Sequence, residues 1–281
     1  MDSPGGLTTR SDIPTWAGAA PGTEAPQRPR PDHGLAATPL HRERVAVEQL
    51  RRRLRPRRLA GIPGADIAVW HEPAGRSFGI GFYDLFSVRD DVWRLVTGDI
   101  AGRGVDTAVL AAFARDAFRR PDTGPAASLR LLDRLVRNFG ALRRMTAACL
   151  DLAWRGRTAT LAVASAGHPP PLLLGAGGAV RVLDAPGRPL GVGPDPRPGE
   201  LRLELVPGDV VVLRAGGGRA ESARDGRLAE MLAGCAGRSA REVLDHIRLT
   251  LAQGRSPATE GASFLALWVR ASRRPAPRDL V

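Results

Sequence analysis

The order of helix-like and strand-like tracts predicts an α+β fold, a layered sandwich of two mostly antiparallel sheets flanked by helices. Two observations carry this. Helical periodicity is confined to four tracts: 41–58, 105–117, 128–139 and 239–254. Between them lie blocks of consecutive short strands punctuated by Gly and Pro, where a doubly wound parallel fold needs regular alternation of strand and helix.

Residues 1–40 are rich in Pro, Gly, Ser, Thr and Arg, with few large apolar side chains to offset the ordering entropy, which predicts a disordered segment. From residue 41 to 60 an amphipathic leading helix is expected, with Val47, Leu50 and Leu54 on one stripe and Pro56 as its stop. That stripe serves either to cover the core or to dock or dimerise. The main domain is expected over 61–271, followed by a flexible tail at 272–281. Strands are predicted at Ala65–Trp70, Ser77–Ser87 and Asp91–Thr97. Next comes a helix whose apolar face carries Val105, Val109, Phe113 and Ala117, with Ala108 and Ala112 beside them. A second helix starts with Ser128 as N-cap and presents Leu129, Leu132, Val136 and Phe139. Strands follow at 145–154, 158–165, 171–174, 179–183, 201–206 and 210–214. Ser239-Ala240-Arg241-Glu242 is a capping-box pattern opening the last helix, and Phe264–Val269 closes the domain as a strand.

The chain has 281 residues, a formal charge of +12 and a pI near 11.4. All 41 basic residues are Arg, spread along the chain and not interleaved with aromatics in one stripe, so the charge reads as composition bias and no nucleic-acid partner is expected. Cys149 and Cys235 form no Cys-x-x-Cys pair, which excludes zinc and redox motifs and predicts buried reduced thiols. No secretory signal and no apolar run of membrane-spanning length occurs, so the protein is expected in the cytoplasm and off the membrane. A Walker-type site is excluded for want of its lysine, and no Gly-x-Ser-x-Gly elbow occurs.

The most telling stretch is Gly98-Asp99-Ile100-Ala101-Gly102-Arg103-Gly104, a carboxylate that leaves an apolar strand for a glycine-rich turn and then a helix. Such a turn lets backbone and a hard ion approach closely. Its neighbours in sequence extend the pattern. The tract 47–56, Gly79-Ile80-Gly81-Phe82-Tyr83-Asp84-Leu85-Phe86, the Asp99 run, Ala166-Gly167-His168-Pro169-Pro170-Pro171-Leu172 and Pro207-Gly208-Asp209-Val210 keep the order and spacing of known motifs. Together they resemble the SpoIIE-like branch of the PPM-type (protein phosphatase 2C-like) metal-dependent phosphatases, over about residues 41–270.

The resemblance implies an αββα sandwich with two Mn²⁺ or Mg²⁺ ions held by carboxylates, which generate a hydroxide for one-step hydrolysis of phosphoserine or phosphothreonine. It places a bridging metal ligand at Asp99 and a backbone ligand at the Ile100 carbonyl, with Asp84 as an outer candidate. Three further carboxylate positions of the family fall on Gly81, Gly216 and Ala262. With those three replaced, the hydroxide route is expected to fail, leaving a pseudophosphatase. Glu260, Asp225 or backbone carbonyls could substitute as ligands, although Asp225 in Arg-Asp-Gly reads better as a turn residue. By the same resemblance the partner is a phosphorylatable protein, a STAS-domain anti-anti-sigma factor in a bacterial partner-switching pathway. The alternatives are an active phosphatase with a rearranged metal site, and a scaffold or homodimer joined through residues 41–58. His168, followed by three prolines in a loop between strands and expected to have no nearby acid or nucleophile paired with it, predicts a turn or packing role. Gly216-Gly217-Gly218-Arg219 reads as a relaxed loop, the other reading being a phosphate cradle of backbone amides.

Overall fold

A computed structural model of the chain describes residues 38–56, 59–71, 79–102, 104–139, 144–155, 158–193, 195–215, 221–253 and 262–270. The chain divides after Ala37, and every described element belongs to the second unit. The expected disordered segment, apart from Thr38–Leu40, and the expected tail lie outside the described residues.

Strand periodicity resolves into two five-stranded sheets in which every described pair is antiparallel. The first runs β1 (Ala65–His71), β10 (Ser263–Val269), β9 (Val210–Ala215), β6 (Leu172–Leu174), β7 (Val180–Val182). The second runs β2 (Gly79–Arg89), β3 (Val92–Ala101), β4 (Met145–Arg155), β5 (Thr158–Ala166), β8 (Glu200–Leu205). Alternate residues decide the layers, because side chains two apart share a face. On β2 and β3, Tyr83, Leu85 and Leu95 join Leu213 and Leu265 in the core between the sheets, while Phe82, Val96 and Ile100 pack outward. The outward face is covered by α1 (Pro39–Leu54), α2 (Val105–Ala117) and α3 (Pro125–Asn138). On the other side α4 (Glu221–Ala233) and α5 (Ala240–Gln253) cover the first sheet. The order of layers is helices, sheet, sheet, helices.

Val47 and Leu54 of α1 lie in the core beneath the helices with Leu50 packed against it, so the leading stripe covers this chain's own core. The capping box forms as read: Glu242 accepts from the Ser239 backbone amide at 2.8 Å, and the Glu242 amide donates to Ser239 Oγ at 3.4 Å.

Several expectations need correction. β3 continues past Thr97 through Asp99 to Ala101, because Gly98–Ala101 pair with Phe82–Gly79, so Asp99 stands on a strand and not in a turn. The buried face of α2 is Thr107, Ala108, Leu110, Ala111 and Ala114. Its three alanines let the helix approach the sheet closely beside Leu110, and Phe113 faces outward, 53% exposed, against Phe139 at 5.9 Å between ring centroids. α3 begins three residues earlier than Ser128, with Gly124 as N-cap and Pro125 at the first helical position. Ser128 is interior and buried, and its hydroxyl donates to the Gly124 carbonyl at 3.0 Å. α4 has no counterpart in the expected elements, and Asp225 lies within it, not in a turn. Its charged residues and mid-helix Gly226 hide a sparse apolar face of Leu228, Met231 and Leu232.

Candidate functional site

Two register rows meet at one end of the sandwich. In the second sheet Gly81 pairs with Asp99, and Asp99 pairs with Thr146. In the first, His71 pairs with Ser263, and Ser263 pairs with Ala215. By strand alternation all six residues stand on the inner faces, so the two rows face each other across the gap between the sheets.

Arg55, immediately after α1, reaches into this end. Its Nε donates to the Gly81 carbonyl at 3.2 Å and its Nη1 donates to His71 Nε2 at 3.1 Å. A guanidinium has donors only, so His71 Nε2 must accept and the ring proton sits on Nδ1. From there it points to Ser263 Oγ, 3.1 Å away. Burial holds the His71 pKa below its ordinary value and the Arg55 charge lowers it further, against opposing effects of a hydrogen bond to the Ala262 backbone and the Glu48 charge. His71 is therefore neutral at pH 7. The chain after Arg55 is tied down where the Tyr83 hydroxyl donates to the Pro56 carbonyl at 3.0 Å, and burial pushes that hydroxyl's pKa up to about 12.

A second bridge between the sheets runs through His168. Its Nε2 lies 2.9 Å from the Arg214 carbonyl, which can only accept, so this nitrogen carries a proton. Its Nδ1 lies 3.1 Å from Thr146 Oγ1 and 3.9 Å from Asp99 Oδ2. The sequence expectation that no acid neighbours His168 is overturned: register brings the Asp99 carboxylate to it from another strand. The packing role stands with it, since the His168 side chain is 1% exposed.

The sequence-predicted residues distribute as follows. Gly81 and Asp99 are direct partners, and Ala262 is buried one residue before Ser263. The Ile100 carbonyl lies against Gly79, where an added Cβ would stand 2.7 Å from its oxygen. Asp84 does not join this end. It faces the helix side of β2, where Arg119 Nη2 donates to its Oδ2 and Arg115 Nε lies 3.7 Å from the same oxygen. Gly216, Gly217, Gly218, Arg219 and Glu260 lie outside the described residues. Arg55, His71 and Thr146 were not singled out by the sequence. An Arg-Pro step closing a helix and a His ending a strand were the only signals, and both are common.

The described residues do not fit a carboxylate-held pair of metal ions. Among them no group of three or more His, Cys, Asp and Glu side chains could hold a metal ion. Across from Asp99 stands a glycine, and the space beside it holds a guanidinium. The thiols offer no substitute chemistry. Cys149 and Cys235 are buried and free, and burial pushes the pKa of both upward. No described helix is long and apolar enough to cross a membrane.

Residues 89–270 match the family model for stage II sporulation protein E (SpoIIE). Among solved structures, the chain is 25% identical to the RsbU and RsbW domains of a Mycobacterium tuberculosis protein, with TM-score 0.62 over 76% of this chain and 64% of that one. It therefore spans somewhat less than two thirds of that relative. The SiaA-PP2C domain of Pseudomonas aeruginosa matches at 24% identity and TM-score 0.58, covering 73% and 85% of the two chains. RsbX, solved in complex with magnesium, matches at 13% identity and TM-score 0.57, covering 75% and 98%.

Proposed function

The chain belongs to the SpoIIE family of PP2C-like phosphatase domains, and from that premise we propose that it binds a phosphorylatable protein without hydrolysing its phosphate ester. The partner class is a STAS-type anti-anti-sigma factor, and the chain acts in partner switching as a pseudophosphatase. One observation carries the reading: the strand pair that holds Asp99 places Gly81, with no side chain, directly opposite.

The chemical argument is one of ligand charge. Binuclear hydrolysis needs two hard cations to generate a hydroxide and neutralise phosphoryl oxygens, and their affinity scales with the number of anionic oxygens. Asp99 supplies one such group, His168 Nδ1 faces it, and the positions of family carboxylates at residues 81 and 262 carry Gly and Ala. What remains is a phosphatase-shaped surface with little means of activating water.

The test is phosphate release from a phosphoserine-bearing STAS protein, in excess Mn²⁺ or Mg²⁺, alongside a binding titration with the same protein. The expected result is saturable binding with no release above the protein-free control. Metal-dependent release that disappears in Asp99→Asn would establish instead an active enzyme with a rearranged site.

A further inference from the structure

The glycine at residue 81 leaves a space, and Arg55 stands at it. A Cβ added to Gly81 would lie 2.7 Å from Asp99 Oδ1 and 3.1 Å from Arg55 Nη2. A side chain at residue 81 would thus emerge in close contact with both the carboxylate and the guanidinium. Arg55 is fixed there from several sides. Leu54 before it is buried, its own Nε and Nη1 bond to Gly81 and His71, and the Pro56 carbonyl after it is held by Tyr83. Further back, Arg115 of α2 holds the Arg53 carbonyl at 2.9 Å.

We infer that Arg55 is the resident cation of this end of the sandwich: its guanidinium, fixed at the end of α1, takes the place beside Asp99 and keeps a divalent ion out. The inference rests on the proposed function's reading of the site and adds the residue responsible for it. Three physical facts support it. A guanidinium stays protonated at any working pH, so this cation is permanent. Its planar fork matches the use seen here, with separate nitrogens directed at Gly81, at His71 and toward the space beside Asp99. A like charge within about 4–6 Å disfavours a second cation at the same place. Restoring an acid at residue 81 alone would then give Arg55 a new partner before it gave a metal a ligand.

Calorimetric titration with Mn²⁺ alone tests this on the full chain and three variants: Gly81→Asp, Arg55→Ala, and the two together. Each is first checked for native circular dichroism. The expected result is no saturable heat for the unaltered chain, and an affinity at least about tenfold tighter in the double variant than in Gly81→Asp, because a cation is removed where a ligand is added. A double variant that binds no tighter than Gly81→Asp overturns the role of Arg55 and leaves the proposed function standing. Saturable Mn²⁺ binding by the unaltered chain overturns both. If the aspartate variants do not fold, thermal unfolding of Gly81→Ala in the unaltered and Arg55→Ala backgrounds decides. A smaller loss of Tm without Arg55 supports the shared space, and an equal loss in both backgrounds refutes it.

Discussion

Arg94 and Asp99 stand on the same strand and on opposite faces of it, and each is part of an arginine–aspartate arrangement. Arg94, on the helix side, is wholly buried and pairs across β3 and β4 with Asp151: Nε lies 2.7 Å from Oδ1 and Nη2 2.8 Å from Oδ2. Its other donors reach the Phe118 carbonyl at 2.9 Å, the Arg120 carbonyl at 3.2 Å, Ser128 Oγ at 3.1 Å and the Thr123 carbonyl. Burial opposes the charge of Arg94, but the hydrogen bonds and charge of Asp151 raise its pKa overall. That arrangement uses up its donors on the loop between α2 and α3, so it can only be structural. On the inner face, the Asp99 side chain keeps 26% of its surface open, and the nearby Arg55 comes from a different element at the end of the sandwich. The same two residue types thus do different work according to solvent access. A closed pair locks a loop, whereas an open arrangement can set which ions and groups enter.

The largest effect is expected at the closed pair. Asp151→Ala strands a buried guanidinium and should cost about 3–5 kcal/mol, lowering Tm on the order of 10 °C. The joint replacement Arg94→Met, Asp151→Leu should recover much of that loss, since the stranded charge is gone; urea unfolding measures both. An Asp151→Ala protein as stable as the unaltered chain would erase the contrast between the two arrangements. Asp84 is an intermediate case. Asp84→Asn weakens its pairs with Arg119 and Arg115, and because Arg119 is about half exposed the cost should be only about 1 kcal/mol. It should leave the phosphoprotein titration unchanged; loss of binding in this variant would place Asp84 in the site after all.

The smallest effect concerns pH at the open end. The folded pKa of His71 lies below its ordinary 6.5, so as pH falls beneath 6.5 the unfolded chain takes up this proton first. Stability then declines with falling pH until the folded pKa is passed, and it is unaffected by this group above about pH 7. Arg55 and Glu48 are the charged groups that act on the ring, in opposite senses. His71→Gln should flatten the slope of urea midpoint against pH on that acid side. An unchanged slope would mean that His71 is not held neutral by its surroundings.

Much of the fold was legible because it depends on local period and punctuation: the β1, β4, β5, β9 and β10 tracts, α1, α5 and its capping box all follow from spacing. Two failures have physical causes. The α2 face was centred on Val105 and Phe113 with Ala108 beside them; Ala108 is buried as read, but the face turns instead through Leu110, Ala111 and Ala114, where alanines permit close packing on the sheet. α4 carries too few apolar residues for its period to stand out from charge and glycine. At the site, Asp99 and Gly81 were readable because each sits in a recognisable motif. Arg55 was not, because it lies in a run of arginines, 51–53, 55 and 57–58, in which composition singles out no member. His71 and Ser263 gain meaning only through the β1–β10 register, which pairs residues 192 positions apart.

On the proposed reading, the end of the sandwich holding Gly81, Asp99 and Arg55 works without a divalent ion. Thermal unfolding of the unaltered full chain in excess EDTA and in excess Mn²⁺ tests it most directly, because an ion bound only by the folded state must raise Tm in proportion to the logarithm of its concentration. Superimposable transitions are expected at every Mn²⁺ concentration. A Tm that climbs with Mn²⁺, and does so no longer in Asp99→Asn, would contradict that reading.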